Sequence, residues 1–242
     1  MIPANHKATR DGVKTQTRRL DNLKEINQNP DEWECVEKGK FTFIFHHKEE
    51  RQVIRVHPRY QVGETVYIKE AYEFYRRLGT QANIKYIQDS FVTWVSIPKD
   101  KPTPKVGYHS PLFLPEWAAR DFIRIKDVRP ERLQSITPKD CEAEGAPFKH
   151  PHYYDVDSGM HMPKKNENNW LRIAFMELWD SINGKPIRSK EYTLTYTWDS
   201  PDGREHKHYT KLPNPYRFDA NPWAWTIEYE YLRGNQVEKR TA

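Results

Sequence analysis

Residues 223–231 read Trp223-Ala224-Trp225-Thr226-Ile227-Glu228-Tyr229-Glu230-Tyr231. Trp223, Trp225, Ile227, Tyr229 and Tyr231 fall on one face of an extended chain, because successive side chains in a strand point to opposite sides. A second run behaves the same way. Phe122, Arg124, Lys126 and Val128 alternate with Ile123, Ile125 and Asp127. Two such runs, about a hundred residues apart, make strand pairing the organising principle of the chain.

Further strands are expected across Glu34–Val56, where Phe41, Phe43, Ile44 and Phe45 cluster, and across Phe91–Ile97. Gly63 to Ala71 reads as a turn into a strand whose Val66, Ile68 and Glu70 share a face. Residues 191–211 read as a hairpin around Ser200-Pro201-Asp202-Gly203. Helices are fewer. Pro3–Gly12 and Asp21–Asn29 suggest short ones. Thr137-Pro138-Lys139-Asp140-Cys141-Glu142-Ala143-Glu144-Gly145 carries a Thr cap, a Pro at the first helical position and a terminating Gly. Asn169–Ile182 places Trp170, Ile173, Ala174, Leu178 and Trp179 at helical spacing. Strands with helices between distant partners predict an α+β fold rather than a parallel βαβ sheet.

Composition limits the function classes. The chain has 242 residues, enough for one domain. Hydrophobic residues are 36% and mean hydropathy is −0.98, yet aromatics reach 13%. So many rings argue against a disordered chain. The net charge of +5 favours anionic partners, nucleic acid among them. Cys35 and Cys141 are too few and too far apart for a disulfide framework or a zinc pair. No signal peptide is read in the first residues and no apolar run is long enough to span a bilayer, so a cytoplasmic protein is expected. The histidines (His46 and His47, His150, His152 and His161, His206 and His208) show no ligand motif, and no metal or other cofactor is expected.

The charged segment Lys14-Thr15-Gln16-Thr17-Arg18-Arg19 is the main candidate for chemistry. By itself it reads as a basic strand edge, of the kind that discourages aggregation. Four blocks give it more meaning. They are this segment, Gly63 to Glu70, Pro115 to Arg120 running through Arg132-Leu133, and Leu178 to Gly184 with Asn221-Pro222-Trp223. In these blocks the chain resembles the ASCH family of the PUA-like superfold, in particular ASCH proteins often encoded by phages and prophages.

The resemblance implies a small mixed β-barrel with flanking helices. It would be a single domain over 1–242 with insertions at about 21–60, 146–167 and 186–219. It implies a modified nucleoside or a nucleic acid as partner. Some bacterial members are amidohydrolases that remove the acetyl group of 4-N-acetylcytidine, and their site looks like a Lys-x-x-Thr pair plus a Glu in a later short helix. Lys14, Thr17 and Glu144 fall on those positions. Two other activities also follow from the family: a non-catalytic RNA or DNA reader, and a metal-independent ribonuclease.

Amide hydrolysis needs a nucleophile, a proton acceptor and charge stabilisation. Lys14 can accept a proton only as a neutral amine, which requires burial or a cationic neighbour such as Arg18 or Arg19. Glu144 can serve as general acid or base. In a regular strand Lys14 and Thr17 face opposite ways, so they meet only if the segment bends. Thr15 is the fallback hydroxyl. Arg18 and Arg19 are candidate anion contacts. Glu70 is a second carboxylate candidate, expected to pair with an Arg of the first block, and Trp117 is a candidate ring for base stacking or a hydrophobic plug.

Overall fold

In the computed structural model, residues 3–39, 42–146, 167–183, 192–199, 205–211 and 214–233 are described. The fold is α+β and its strands pair antiparallel. The two decisive runs are the centre of it. Strand β10 (Asp121–Arg132) pairs with β13 (Trp223–Arg233) from Asp121↔Arg233 to Arg132↔Trp223, with a bulge between Ile125 and Asp127. Strand β1 (Gln16–Arg19) adds to the free side of β13, and β5 (Thr65–Tyr67) to the free side of β10. The resulting order is β1-β13-β10-β5. Among the described residues no sheet closes on itself, so the expected barrel is represented by an open sheet with β1 and β5 at its edges.

Three more sheets are formed. Strands β2 (Trp33–Lys38), β3 (Phe43–His47) and β4 (Val53–Val56) form one, in the region expected to hold strands. Strands β6 (Tyr72–Leu78), β7 (Gln81–Tyr86), β8 (Val92–Ser96) and β9 (Gly107–His109) form another, ordered β8-β7-β6-β9. The β6–β7 hairpin is absent from the sequence reading. The last two, β11 (Tyr192–Asp199) and β12 (Glu205–Lys211), pair as the expected hairpin, and its turn lies outside the described residues.

Helix α1 spans Pro3–Arg10, and the chain leaves it through Gly12 at φ +73°. Helix α2 (Pro138–Ala143) has the predicted cap: the Thr137 side chain accepts from the Asp140 N–H, and the Asp140 side chain accepts from the Thr137 N–H. Helix α3 spans Glu167–Asn183. Its buried stripe is Leu171, Ala174, Phe175 and Trp179, so Ile173 and Leu178 sit at the margin rather than the centre. Asp21–Asn29 is not an α-helix; its only helical part is the short 3-10 turn Ile26–Gln28. Pro30 then starts a second such turn instead of ending a helix.

β13 is covered on both sides. Trp225, Ile227 and Tyr229 pack with Leu23, Trp33, Phe45 and Ile125 on one side. Ala224 packs with Leu133, Cys141, Phe175 and Trp179 on the other. That double burial covers Ala224–Ile227, while Glu228 and Glu230 further along the second face are half-exposed. A third core, built on Tyr72, Phe74, Ile84 and Tyr86, lies under the β6–β9 sheet.

Candidate functional site

β1 is an edge strand in unbroken register with β13: Gln16↔Glu228, Thr17↔Ile227, Arg18↔Thr226 and Arg19↔Trp225. With no bulge, its side chains alternate. Gln16 and Arg18 are buried, Thr17 is half-buried and Arg19 is exposed. Lys14, just before the strand, turns to the same side as Gln16 and Arg18. It is 5% exposed, and its ammonium donates to Glu144 Oε2 at 3.0 Å and to the Glu144 carbonyl. Arg18 Nη1 donates to the other carboxylate oxygen, Oε1, at 3.1 Å. One carboxylate is therefore held from two positions of one strand face.

α2 delivers that carboxylate. Glu144 is the C-cap of the helix and Gly145 follows at φ +73°. Gly145 also makes room for the lysine, since a Cβ there would stand 3.3 Å from Lys14 Cβ. The Thr15 N–H donates to the Ala143 carbonyl, tying the strand entrance to the helix end. Arg18 reaches further, to Glu131 at 3.3 Å and Asp140 at 3.9 Å, with its guanidinium 5.8 Å from the Phe175 ring centre.

The electrostatics follow from burial. Burial pushes the Lys14 ammonium down from the ordinary lysine value; the Glu144 carboxylate opposes this, while Arg19 and Arg18 act in the same direction as burial. Two buried atoms of the cluster have no hydrogen-bond partner among the described residues, Gln16 Oε1 and Arg18 Nε. Buried polar atoms without partners are uncommon and mark places where water or a ligand atom is held.

The remaining sequence candidates lie elsewhere. Thr15 and Arg19 are exposed, and neither they nor half-buried Thr17 share the face of the Lys14–Glu144 pair. Glu70 is buried but its partner is Arg120, at 2.7 Å on each oxygen, and not an arginine of the first block. The reason is topological: Glu70 leaves the sheet after β5 and turns toward the start of β10. Trp117 is half-buried and lines a cavity of about 710 Å³ with Tyr72, His109, Phe113 and several prolines.

Glu70 belongs to a second buried cluster that the sequence reading did not contain. His6 Nε2 lies 2.8 Å from Asp121 Oδ2, and its Nδ1 meets the Gln88 side chain. Arg10 and the Tyr231 hydroxyl also donate to Asp121. Arg120 bridges Glu70 and Asp89, and stacks 4.1 Å from the centre of the Tyr86 ring. Burial by itself would raise the Asp121 carboxyl; donors from His6, Tyr231 and Arg10 outweigh it and hold the group well below the carboxylate range. His6, Glu70 and Asp121 stand close enough to share a metal ion. Their acceptor capacity is already engaged by two arginines and a tyrosine, so the set reads as an ion-pair network. His150, His152 and His161 lie outside the described residues.

Compared with protein-family models, with curated proteins and with solved structures, the chain matches none. Among the described residues no helix is long and apolar enough to cross a membrane. Neither Cys35 nor Cys141 is in a disulfide among the described residues.

Proposed function

We propose that the chain is an amidohydrolase acting on an acylated cytosine nucleoside or base, built on an ASCH-like version of the PUA-like fold. One observation carries the reading. A buried lysine whose proton affinity is lowered by burial donates to a carboxylate at the C-cap of a short helix. Lysine needs that lowering to work as a base near neutral pH.

In the proposed reaction Lys14, as a neutral amine, takes a proton from the attacking water as oxygen adds to the acyl carbon. The electron pair of the C=O bond moves to oxygen, and that oxyanion collapses as the C–N bond breaks. The proton passes to the leaving amine through Lys14 and Glu144, giving a carboxylic acid and the free exocyclic amine. Arg18 fixes Glu144 from its other oxygen. The placement of Thr17 on the other strand face supports water over the Thr17 hydroxyl as nucleophile.

A reader or nuclease at the same strand receives less support. Arg18, its buried cation, is only 5% exposed and its charge is already paired with Glu144 and Glu131, so a phosphate would have to compete with two carboxylates for it. The test is release of cytidine from 4-N-acetylcytidine by the purified protein. Turnover is expected to fall at least 100-fold in both Lys14→Met and Glu144→Gln, consistent with loss of general acid–base catalysis. Absence of turnover on several acyl-cytidines removes the activity. Turnover that survives both substitutions removes the site.

A further inference from the structure

The β6–β9 sheet has one face on its core and one face open. The registry identifies what stands on the open side. Phe74, Ala82 and Ile84 are buried, so Glu73, Asn83 and Lys85 point outward. Tyr108 pairs with Glu73, and Trp94 with Asn83, so both share that face. A bulge between Phe74 and Arg76 brings Tyr75 to the same side, where its hydroxyl donates to Glu73 at 3.1 Å. Arg76 lies over the Trp94 ring at 5.6 Å.

The open face thus carries three rings in a row across the strands. Tyr108 on β9 is 64% exposed, Tyr75 on β6 is 36% and Trp94 on β8 is 41%. Strand spacing sets the row at roughly 14 Å from β9 to β8. The rings are interleaved with Arg76, Lys85 and Asn83, and the exposed aliphatic side chains of that face, Val92 and Leu78, stand apart from each other on β8 and at the end of β6. An interface to another protein would want a contiguous apolar centre. Separated rings with cations between them suit a chain whose flat, apolar units alternate with negative charges.

We propose that this face binds single-stranded nucleic acid, with bases stacked on Tyr108, Tyr75 and Trp94 and phosphates near Arg76 and Lys85. Four-stranded sheets with surface rings take two or three bases in this way, and stacking needs no particular sequence. The net charge of +5 acts in the same direction. The face is formed by different strands from those carrying Lys14 and Glu144, so the proposal goes beyond the hydrolytic reading and does not depend on it.

The test measures fluorescence anisotropy of labelled ten-residue oligouridylate and oligothymidylate with the full chain. Saturable binding is expected at low salt, with duplex of equal length binding more weakly. Trp94→Ala and Tyr108→Ala should each weaken binding by about 5- to 150-fold, as loss of one stacked base does. Arg76→Ala should lower the slope of log affinity against log salt by about 0.7, the value for one phosphate contact on a single strand. Tyr108 is exposed enough to be replaced without loss of the fold, so it carries the test if Trp94→Ala proves unstable. No saturable binding, unchanged affinity in the ring variants, or a preference for duplex would each overturn the proposal. So would self-association of the chain that Tyr108→Ala abolishes without any oligonucleotide binding. The assay needs no turnover, so its failure leaves the hydrolytic reading standing.

Discussion

Two clusters of buried charge sit in this molecule, and they are finished to different degrees. Around Asp121 the carboxylates of Glu70, Asp89 and Asp121 are matched by Arg10, Arg120, His6 and Tyr231. Around Glu144 two cations grip one carboxylate, while Gln16 Oε1 and Arg18 Nε have no partner among the described residues. A satisfied network fixes structure. It joins α1 to the start of β10 and the end of β13 across more than a hundred residues of sequence. An unsatisfied one has hydrogen-bonding capacity left for something else.

The largest expected effect breaks the first cluster. Asp121→Ala removes the buried acceptor that His6, Arg10 and Tyr231 share, and chemical unfolding should show a loss of about 3–5 kcal/mol. In the second cluster the effects should reverse in kind. Lys14→Met removes a buried cation but leaves Glu144 with Arg18, so the loss in unfolding free energy should stay under about 2 kcal/mol while turnover disappears.

pH sharpens the same contrast. Lys14 is lowered in the folded chain, so the unfolded chain binds more protons over the interval up to the ordinary lysine value. Its contribution to stability therefore rises with pH across that interval. The turnover rate should rise with pH through the same depressed value. Asp121 is lowered too, but as an acid. Its stabilisation is complete above the unfolded carboxylate value of about 3.9 and is lost as pH falls below it. Acid unfolding curves of the native chain and of Asp121→Asn should differ on the acid limb, and those of Lys14→Met on the alkaline one.

The smallest effects concern neighbours of the pair. Gly145→Ala places a methyl against Lys14 at a positive φ, and should cost about 1 kcal/mol in unfolding measurements. Thr17→Ala should stay within about 0.5 kcal/mol of the native chain and leave turnover within a few-fold. A hundredfold loss of turnover there would restore Thr17 as nucleophile.

The sequence carried this comparison unevenly. The central strand pair was plain, because Trp223–Tyr231 alternates strictly and Phe122–Ile125 does so up to the bulge; past the bulge Val128 joins Ile125 in one core instead of taking the opposite face. α2 was plain as well, since cap, proline and glycine all point to one helix. Lys14 and Glu144 came from the family resemblance, and their contact joins segments 130 residues apart. That Gln16 and Arg18 would turn inward with Lys14 was not legible, because the inner face of an edge strand is set by the elements packed on it. The Asp121 cluster was hidden for a related reason: His6, Glu70 and Asp121 come from three separate blocks. The only local hint was Glu70 sharing a face with Val66 and Ile68. The β6–β7 hairpin escaped because Tyr75-Arg76-Arg77 sits at a bulge that breaks the alternation.

The capping box on α2 has one more consequence. Six residues are too few for a helix to stand on its own. Thr137 and Asp140 close its beginning, Gly145 closes its end, and Glu144 rides on the last turn. Its closed ends hold the carboxylate against the lysine. Opening of the helix would take Glu144 away from Lys14 and bring the buried face of β1 to solvent. Amide exchange at Cys141, Glu144 and Ala146, whose N–H groups bond within this turn, would time that opening directly.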